Sequence, residues 1–481
     1  MIMHALKRYL IVVLLGAAAM VFSSCATIHG VDQSQPARSF KLSTAHIQLN
    51  QPLLPGEERP ESLFIPKNPN EPLIMLAISG GGSRAAYYAS RVMQELDNVP
   101  CPSGRGSVLD NVRVISGVSA GSLAAAWYIV NYDTRRSPDF FQRFCKAMAV
   151  NLQWRTYGHM VIFPPAVLEL VITGLTRTEL LANEIEKLLG RPATFNDLLS
   201  QRYHSNDPPP IFIANGTVYN TCQRLVMTNL PPQCFPPIID QRGKHVAMAD
   251  VDAEMLYRIL QPMHFEDIGS DIGSYRVAEA VAASAAYPIL LAPYRLKVYP
   301  NNVPDKLYKR RDPELLQSSW VQVADGGLYD NLGVDSLVSI IKTFKRSQPV
   351  LLIVIDADAK TEIVKLARPR SWGPLSVIMR LYDIGALRPL ALYSDVVNTI
   401  HDPNKWGVVF IRMEAYDAKT DNIVQKIPTA FKIDKKHREV LDIAAAQNVA
   451  RMSGSIIQIL KDLRGDGGKT VKRQGASRTS Q

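Results

Sequence analysis

From about residue 72 to residue 360 the chain alternates short apolar runs with amphipathic stretches, a pattern that predicts a sheet covered by helices on both faces. Leu73–Ile78 is an unbroken apolar run of strand length, and 112–116, 213–221, 321–325, 350–355 and 406–413 read as further strands. The 350–355 run carries no polar side chain before Asp356, as expected of a strand buried on both faces. Between these runs, 85–96, 123–132, 177–190, 334–344 and 441–463 read as helices. In 177–190 the apolar positions are Leu180, Leu181, Ile185, Leu188 and Leu189, one face of a helix. This order predicts an α/β fold: a central, mostly parallel sheet flanked by helices over 71–360, with a C-terminal extension, 361–464, packed on it. Residues 159–175 are strongly apolar, but Pro164 and Pro165 interrupt them and Glu169 sits inside, so they are too short and broken to span a membrane. They read either as a pair of core helices or as an amphipathic flap that covers a pocket and touches a membrane surface. No internal repeat is visible.

Three glycine-rich turns interrupt this pattern, each directly after a predicted strand. Gly117-Val118-Ser119-Ala120-Gly121 joins strand 112–116 to an alanine-rich helix, the setting in which a G-x-S-x-G sequence presents a nucleophile. A turn that tight leaves no room for side chains at 117 and 121, and it places the serine oxygen at a helix N-terminus, where free N–H groups favour developing negative charge. Ser79-Gly80-Gly81-Gly82-Ser83-Arg84 follows the first strand; consecutive glycines there expose backbone N–H groups. The segment has neither the spacing of a Walker loop nor that of a dinucleotide fingerprint. Asp325-Gly326-Gly327 ends strand 321–325, as a plain turn or as a carboxylate aimed at the serine.

Taken in order, the Gly80–Arg84 segment, the Gly117–Gly121 elbow and Asp325-Gly326-Gly327 resemble the patatin-like phospholipase family. Residues 213–221 resemble its inner strand, and 282–288 the small-residue helix end before its aspartate motif. The resemblance runs from about 72 to 355, and it implies an acyl hydrolase with a Ser-Asp dyad and no catalytic histidine. Carried over by position, Ser119 is the nucleophile and Asp325 the base. The backbone around Gly80, Gly81 and Gly82 forms the oxyanion hole, with the Gly81 and Gly82 amides as donors. Gly117, Gly121, Gly326 and Gly327 support these turns, and Arg84 either steadies the glycine loop or attracts a lipid phosphate, against an ordinary solvated helix start. Ala85 stands where members of the family often have glycine, which is tolerable if that residue is already helical. The resemblance implies no cofactor and a membrane lipid as substrate.

The ends of the chain bear on location. Lys7 and Arg8 precede an apolar stretch, 9–22, and then Ser23-Ser24-Cys25, so 1–24 reads as a secretory signal. Cys25 after small residues resembles a bacterial lipoprotein processing site, although Phe22 departs from the usual aliphatic residue. Lipidation at Cys25 predicts a protein held in the cell envelope, with Ala26 matching outer-membrane sorting; plain secretion is the alternative. Residues 25–70, rich in Pro, Gln, Asn and Ser, read as a tether, and 465–481 as a basic disordered tail. The formal charge of +10 falls only by Lys7 and Arg8 when the signal is removed, and anionic lipid headgroups rather than nucleic acid are the natural partner of a secreted basic chain. Cys101, Cys145, Cys222 and Cys234 remain, and Cys222–Cys234 is the expected bridge. No histidine spacing suggests a metal site, and no loop of closely spaced acids suggests calcium. Two other readings stay open: a non-catalytic lipid-binding lipoprotein, and an α/β-hydrolase triad that would have to use His401 or His437.

Overall fold

The computed structural model describes Pro66 and residues 71–104, 106–152, 177–235, 259–288, 291–302, 313–343, 349–358 and 406–465. The leader with Cys25, the 159–175 segment, His401 and the basic tail lie outside the described residues.

The apolar runs form one eight-stranded sheet. Its strands are β1 (Leu73–Ile78), β2 (Val112–Val118), β3 (Ile211–Val218), β4 (Arg224–Thr228), β5 (Tyr294–Lys297), β6 (Trp320–Asp325), β7 (Val350–Asp356) and β8 (Trp406–Arg412). β8, β7, β1, β2 and β3 run parallel to one another. β4 and β6 pair antiparallel with β3, and β5 pairs antiparallel with β6. The mostly parallel sheet predicted from the alternation is present, with an antiparallel portion beyond β3.

Both faces are covered, and β1 shows how. Ile74, Leu76 and Ile78 enter one hydrophobic cluster, whereas Leu73, Met75 and Ala77 enter the other. This is the period of two that a pleated strand imposes on side chains. The larger cluster packs under α1 (Gly82–Leu96), α2 (Ala120–Val130), α3 (Phe140–Met148), α4 (Arg177–Leu189), α5 (Phe195–His204) and α6 (Val277–Ser284). The smaller one packs under α7 (Val334–Thr343).

After β8 comes α8 (Ala418–Gln425) and then α9 (Lys435–Arg464), which lies against α1 and β8. Inside α9, the Asn448 amide donates to the carbonyls of Arg412 and Glu414, both at 2.7 Å, and to the Tyr88 hydroxyl at 3.1 Å. These bonds tie the last helix to the end of β8 and to α1. α9 starts earlier than the apolar pattern predicts, because its first turns are charged and half exposed.

One expectation is corrected. Cys222 and Cys234 do not form the expected bridge: Cys222 faces solvent in the turn after β3, while Cys234 is a thiol fully buried in the smaller core. Cys101 and Cys145 are unbridged as well.

His264 sits at the start of a short 3-10 turn, Phe265–Ile268, with its N–H donated to Asp267 Oδ2 at 2.8 Å. Its ring lies 5.2 Å from that of Phe235. Burial, and then the Arg224 guanidinium, push the imidazole down to about 3 from the ordinary 6.5. The folded protein therefore keeps His264 neutral at pH values where the unfolded chain already protonates it. Above the unfolded value the two states bind protons equally there; below it the unfolded state gains a proton, so stability falls as pH falls, down to the folded value. Urea titrations should show wild type losing about 2 kcal/mol more than a folded His264→Phe variant between about pH 6.5 and about pH 5. Equal losses in the two proteins would contradict this assignment.

Candidate active site

The site forms where β2 and β6 end. β3 pairs with β4 along one edge through Ile213–Thr217. On its other edge it pairs with β2 as far as Asn215↔Val118 and with β6 from Gly216↔Asp325. The residue after β2 and the last residue of β6 are thereby brought face to face.

That residue after β2 is Ser119, in a backbone conformation that side chains rarely adopt, φ 54° and ψ −128°. The turn is as tight as the sequence implied. A Cβ on Gly117 would stand 2.5 Å from Ser122 Cα, and one on Gly121 would strike the Ser79 carbonyl. Ser119 N donates to Ser284 Oγ at 2.9 Å, and Ser284 Oγ donates to the Asn215 carbonyl at 2.6 Å. Asn215 is fixed in turn: its amide donates to Ser116 Oγ and to the Gly117 carbonyl, and its Oδ1 accepts from Ser336 Oγ. The strained serine is thus held from its own N–H by a relay from α6 to β3.

Ser119 Oγ donates to Asp325 Oδ2 at 2.7 Å. Both residues are buried, Asp325 at 1% exposure. The other carboxylate oxygen accepts from Gly327 N at 2.8 Å, across the 3-10 turn Gly326–Leu328. Thr217 Oγ1 donates to the Asp325 carbonyl. With one oxygen fixed by a backbone amide, the other is aimed at the serine hydroxyl, which it can deprotonate without moving.

The glycine loop closes over the same point. Gly81 and Gly82 have φ of 134° and 68°, open to glycine and strained for other residues. They turn the chain into α1, and neither N–H has a backbone acceptor among the described residues. Gly80, expected in the backbone of the oxyanion hole, has its own N–H committed elsewhere, to the Asn331 carbonyl at 2.9 Å. The contact has a structural use: a Cβ on Gly80 would collide with Asn331 Oδ1 and lie 3.4 Å from Ser119 Cβ. Asn331 itself is fixed through its amide to Asp358 Oδ2 at 2.6 Å. Ala85 is helical and fully buried in the first turn of α1, so alanine is compatible there.

Arg84 is not placed to meet a phosphate, nor is it a solvated helix start. It is buried, and its Nη1 donates to the Ile427 carbonyl at 2.6 Å. His437 lies at the start of α9, 3.8 Å from Asp434, and among the described residues no histidine hydrogen-bonds Ser119. Beside the serine an apolar pocket opens, walled by Leu123 of α2, Met148 of α3, Leu181 and Ile185 of α4, Val281 of α6, and Phe431 from the loop between α8 and α9.

The chain matches the family model described as patatin-like phospholipase over residues 76–338, more than half of its length. It belongs to the patatin-like phospholipase family. Solved structures similar to it include human GIVD cytosolic phospholipase A2, with 11% identity and a TM-score of 0.45 over 82% of this chain and 61% of that one. The same human enzyme in complex with methyl gamma-linolenyl fluorophosphonate has 12% identity and a TM-score of 0.44, over 82% and 60%. VipD from Legionella pneumophila has 10% identity and a TM-score of 0.32, over 82% and 68%. The chain thus spans about three fifths of the length of the human enzyme. No curated protein matches it.

Within this patatin-like site, the roles of Asn215, Ser284 and Asn331 escape sequence reasoning. All are small polar residues whose partners come from distant segments. Phe431 carries no local signal at all.

Strain at the nucleophile gives a direct test. Ser119→Ala and Ser119→Gly both lose the bond to Asp325, but only glycine relaxes φ 54°. Thermal melts should place Ser119→Gly above Ser119→Ala by about 1–2 kcal/mol, reversing the order expected at an unstrained position. Ser119→Ala as stable as Ser119→Gly, or more so, would show that the elbow is not strained.

Proposed function

We propose that this chain is a lipid acyl hydrolase that works through a Ser119–Asp325 dyad. The observation that carries the reading is the 2.7 Å hydrogen bond from Ser119 Oγ to Asp325 Oδ2 at the N-terminus of α2. Family membership and the apolar pocket beside the serine support an acyl chain as the group transferred.

In the first step Ser119 Oγ attacks the ester carbonyl as its proton passes to Asp325 Oδ2. The Gly81 and Gly82 N–H groups stabilise the oxyanion, the kind of electrostatic contribution that is usually the largest in acyl transfer. The C–O bond to the alcohol breaks, the alcohol leaves with the proton from Asp325, and an acyl-serine remains. In the second step a water gives its proton to Asp325 as its oxygen attacks the acyl carbon. The acyl–serine bond then breaks, the fatty acid leaves and the proton returns to Ser119.

Ser119→Ala and Asp325→Asn should each lower kcat/KM on p-nitrophenyl esters and phospholipid vesicles by about a thousandfold or more, while both proteins melt near wild type. His437→Ala and His401→Ala should stay within about twofold of wild type, since the dyad uses neither. Full activity in folded Asp325→Asn, or loss in either histidine variant, would move the reading to a triad or another base.

We further propose that the enzyme is held at a bacterial envelope membrane, with Cys25 processed and lipidated and anionic headgroups met by its net positive charge. Metabolic labelling with radioactive palmitate in a bacterial host should mark wild type and leave Cys25→Ser unmarked and in the soluble fraction. Equal labelling of both would exclude Cys25 as the acylated residue.

A further inference from the structure

The pocket beside Ser119 has one wall that does not come from the residues matched by the family. The chain between α8 and α9 crosses the first turn of α1. The Ala430 carbonyl accepts from Ser83 N at 2.7 Å, and the Ile427 carbonyl accepts from Arg84 Nη1 at 2.6 Å. The contact is close enough that a Cβ on Gly82 would lie 2.6 Å from the Ala430 oxygen. Buried Ile427 and Ile433 pin the crossing on either side of Phe431, which reaches the pocket together with Ser83 and Ser119.

The anchorage upstream is equally specific. The Asp417 side chain caps α8 by accepting from Thr420 N at 2.8 Å. Gln425 Nε2 donates to the Met413 carbonyl at 3.0 Å, fixing the end of α8 against the end of β8. Downstream, α9 is held to β8 and α1 by Asn448. Phe431 is therefore presented by a braced segment, the condition under which a side chain can set the shape of a pocket. The other described lining residues come from α1, the Ser119 turn, α2, α3 and the residues just after it, α4, and α6 with its C-terminal cap, all within 76–338, so among the described residues Phe431 is where the chain beyond that core reaches the acyl site.

The geometry points to Phe431 as a specificity-determining residue that sets the length of acyl chain accepted beside Ser119, an inference that rests on the acyl-hydrolase reading. In an apolar pocket each methylene that is accommodated or excluded changes selectivity by about tenfold or more. Removing the ring widens the pocket, and enlarging it to an indole narrows the pocket.

The test compares wild type with Phe431→Ala and Phe431→Trp on p-nitrophenyl butyrate, octanoate, laurate and palmitate. Phe431→Ala should raise the palmitate-to-octanoate ratio of kcat/KM by about tenfold, and Phe431→Trp should lower it by a similar factor. A ratio unchanged in both folded variants would overturn the inference while leaving the hydrolase reading intact. Displacement of a fluorescent fatty acid by octanoic, lauric and palmitic acids, in a Ser119→Ala background, asks the same question without catalysis. If wild type cleaved none of the esters, the hydrolase reading would fail. A Phe431-dependent shift in fatty-acid preference would still support the inference, and no shift would overturn it. Should the alanine and tryptophan variants not fold, Phe431→Leu makes a smaller change of the same sign as alanine and is read the same way.

Discussion

Along one edge, β3 hydrogen-bonds β2 up to Asn215 and β6 from Gly216 onward. Two strands entering that edge from opposite directions must stop where they meet, and the residues at the junction are Ser119 and Asp325. A wholly parallel sheet could not produce this arrangement, because every parallel strand would run past the junction in the same direction. The antiparallel β6 is what turns two strand ends into a hydrogen-bonded serine and aspartate. The polar residues of the middle of β3 then serve the site from below: Asn215 orders the elbow through Ser116, Gly117 and Ser284, and Thr217 holds the Asp325 carbonyl.

That convergence carries an energetic cost. A non-glycine residue held near φ 54° and ψ −128° costs about 1–3 kcal/mol, and two buried polar side chains must be satisfied by each other. The surroundings offset this with directed bonds rather than with apolar packing alone. Ser119 N and Asp325 Oδ1 each have a fixed partner, and Oγ and Oδ2 are turned to each other. Gly80 spends its N–H on Asn331, which draws the glycine loop toward the aspartate loop and leaves the Gly81 and Gly82 N–H groups without a backbone acceptor among the described residues. Three consecutive glycines are thus divided into one anchored amide and two uncommitted ones.

How far this was legible in the sequence follows from the range of each interaction. β1, β2 and β7 are readable because burial on two faces writes itself as local apolar runs, β8 because it is apolar although one of its faces is only half buried, and Ser119 and Asp325 because each sits in a glycine-rich turn at the end of its strand. The start of α1 is not: Gly82 and Ser83 look like loop, and only the loop's fixed turn makes them helical. β4 and β5 are short and carry Arg224, Arg295 and Lys297, which hide them from an apolar pattern. The antiparallel direction of β6 cannot be read from a run of residues, since direction is a property of the pairing. The Cys222–Cys234 expectation failed for a similar reason: spacing counts residues between two thiols and is blind to one facing water while the other lies in a core.

The chain beyond residue 338 completes both the sheet and the surroundings of the glycine loop. β7 lies beside β1 at the heart of the sheet, so the part matched by the family does not contain all of its own core. β8 covers the outer edge of β7, and α9 covers α1, whose N-terminus holds the glycine loop. Once α9 must lie on α1, the chain leading into it has to cross the first turn of α1 beside Gly82. Ser83 N and Arg84 are consumed in securing that crossing, and an arginine that might have met solvent becomes a strut. An element needed to complete the fold is in this way carried to the edge of the apolar pocket, where Phe431 forms part of the wall beside Ser119.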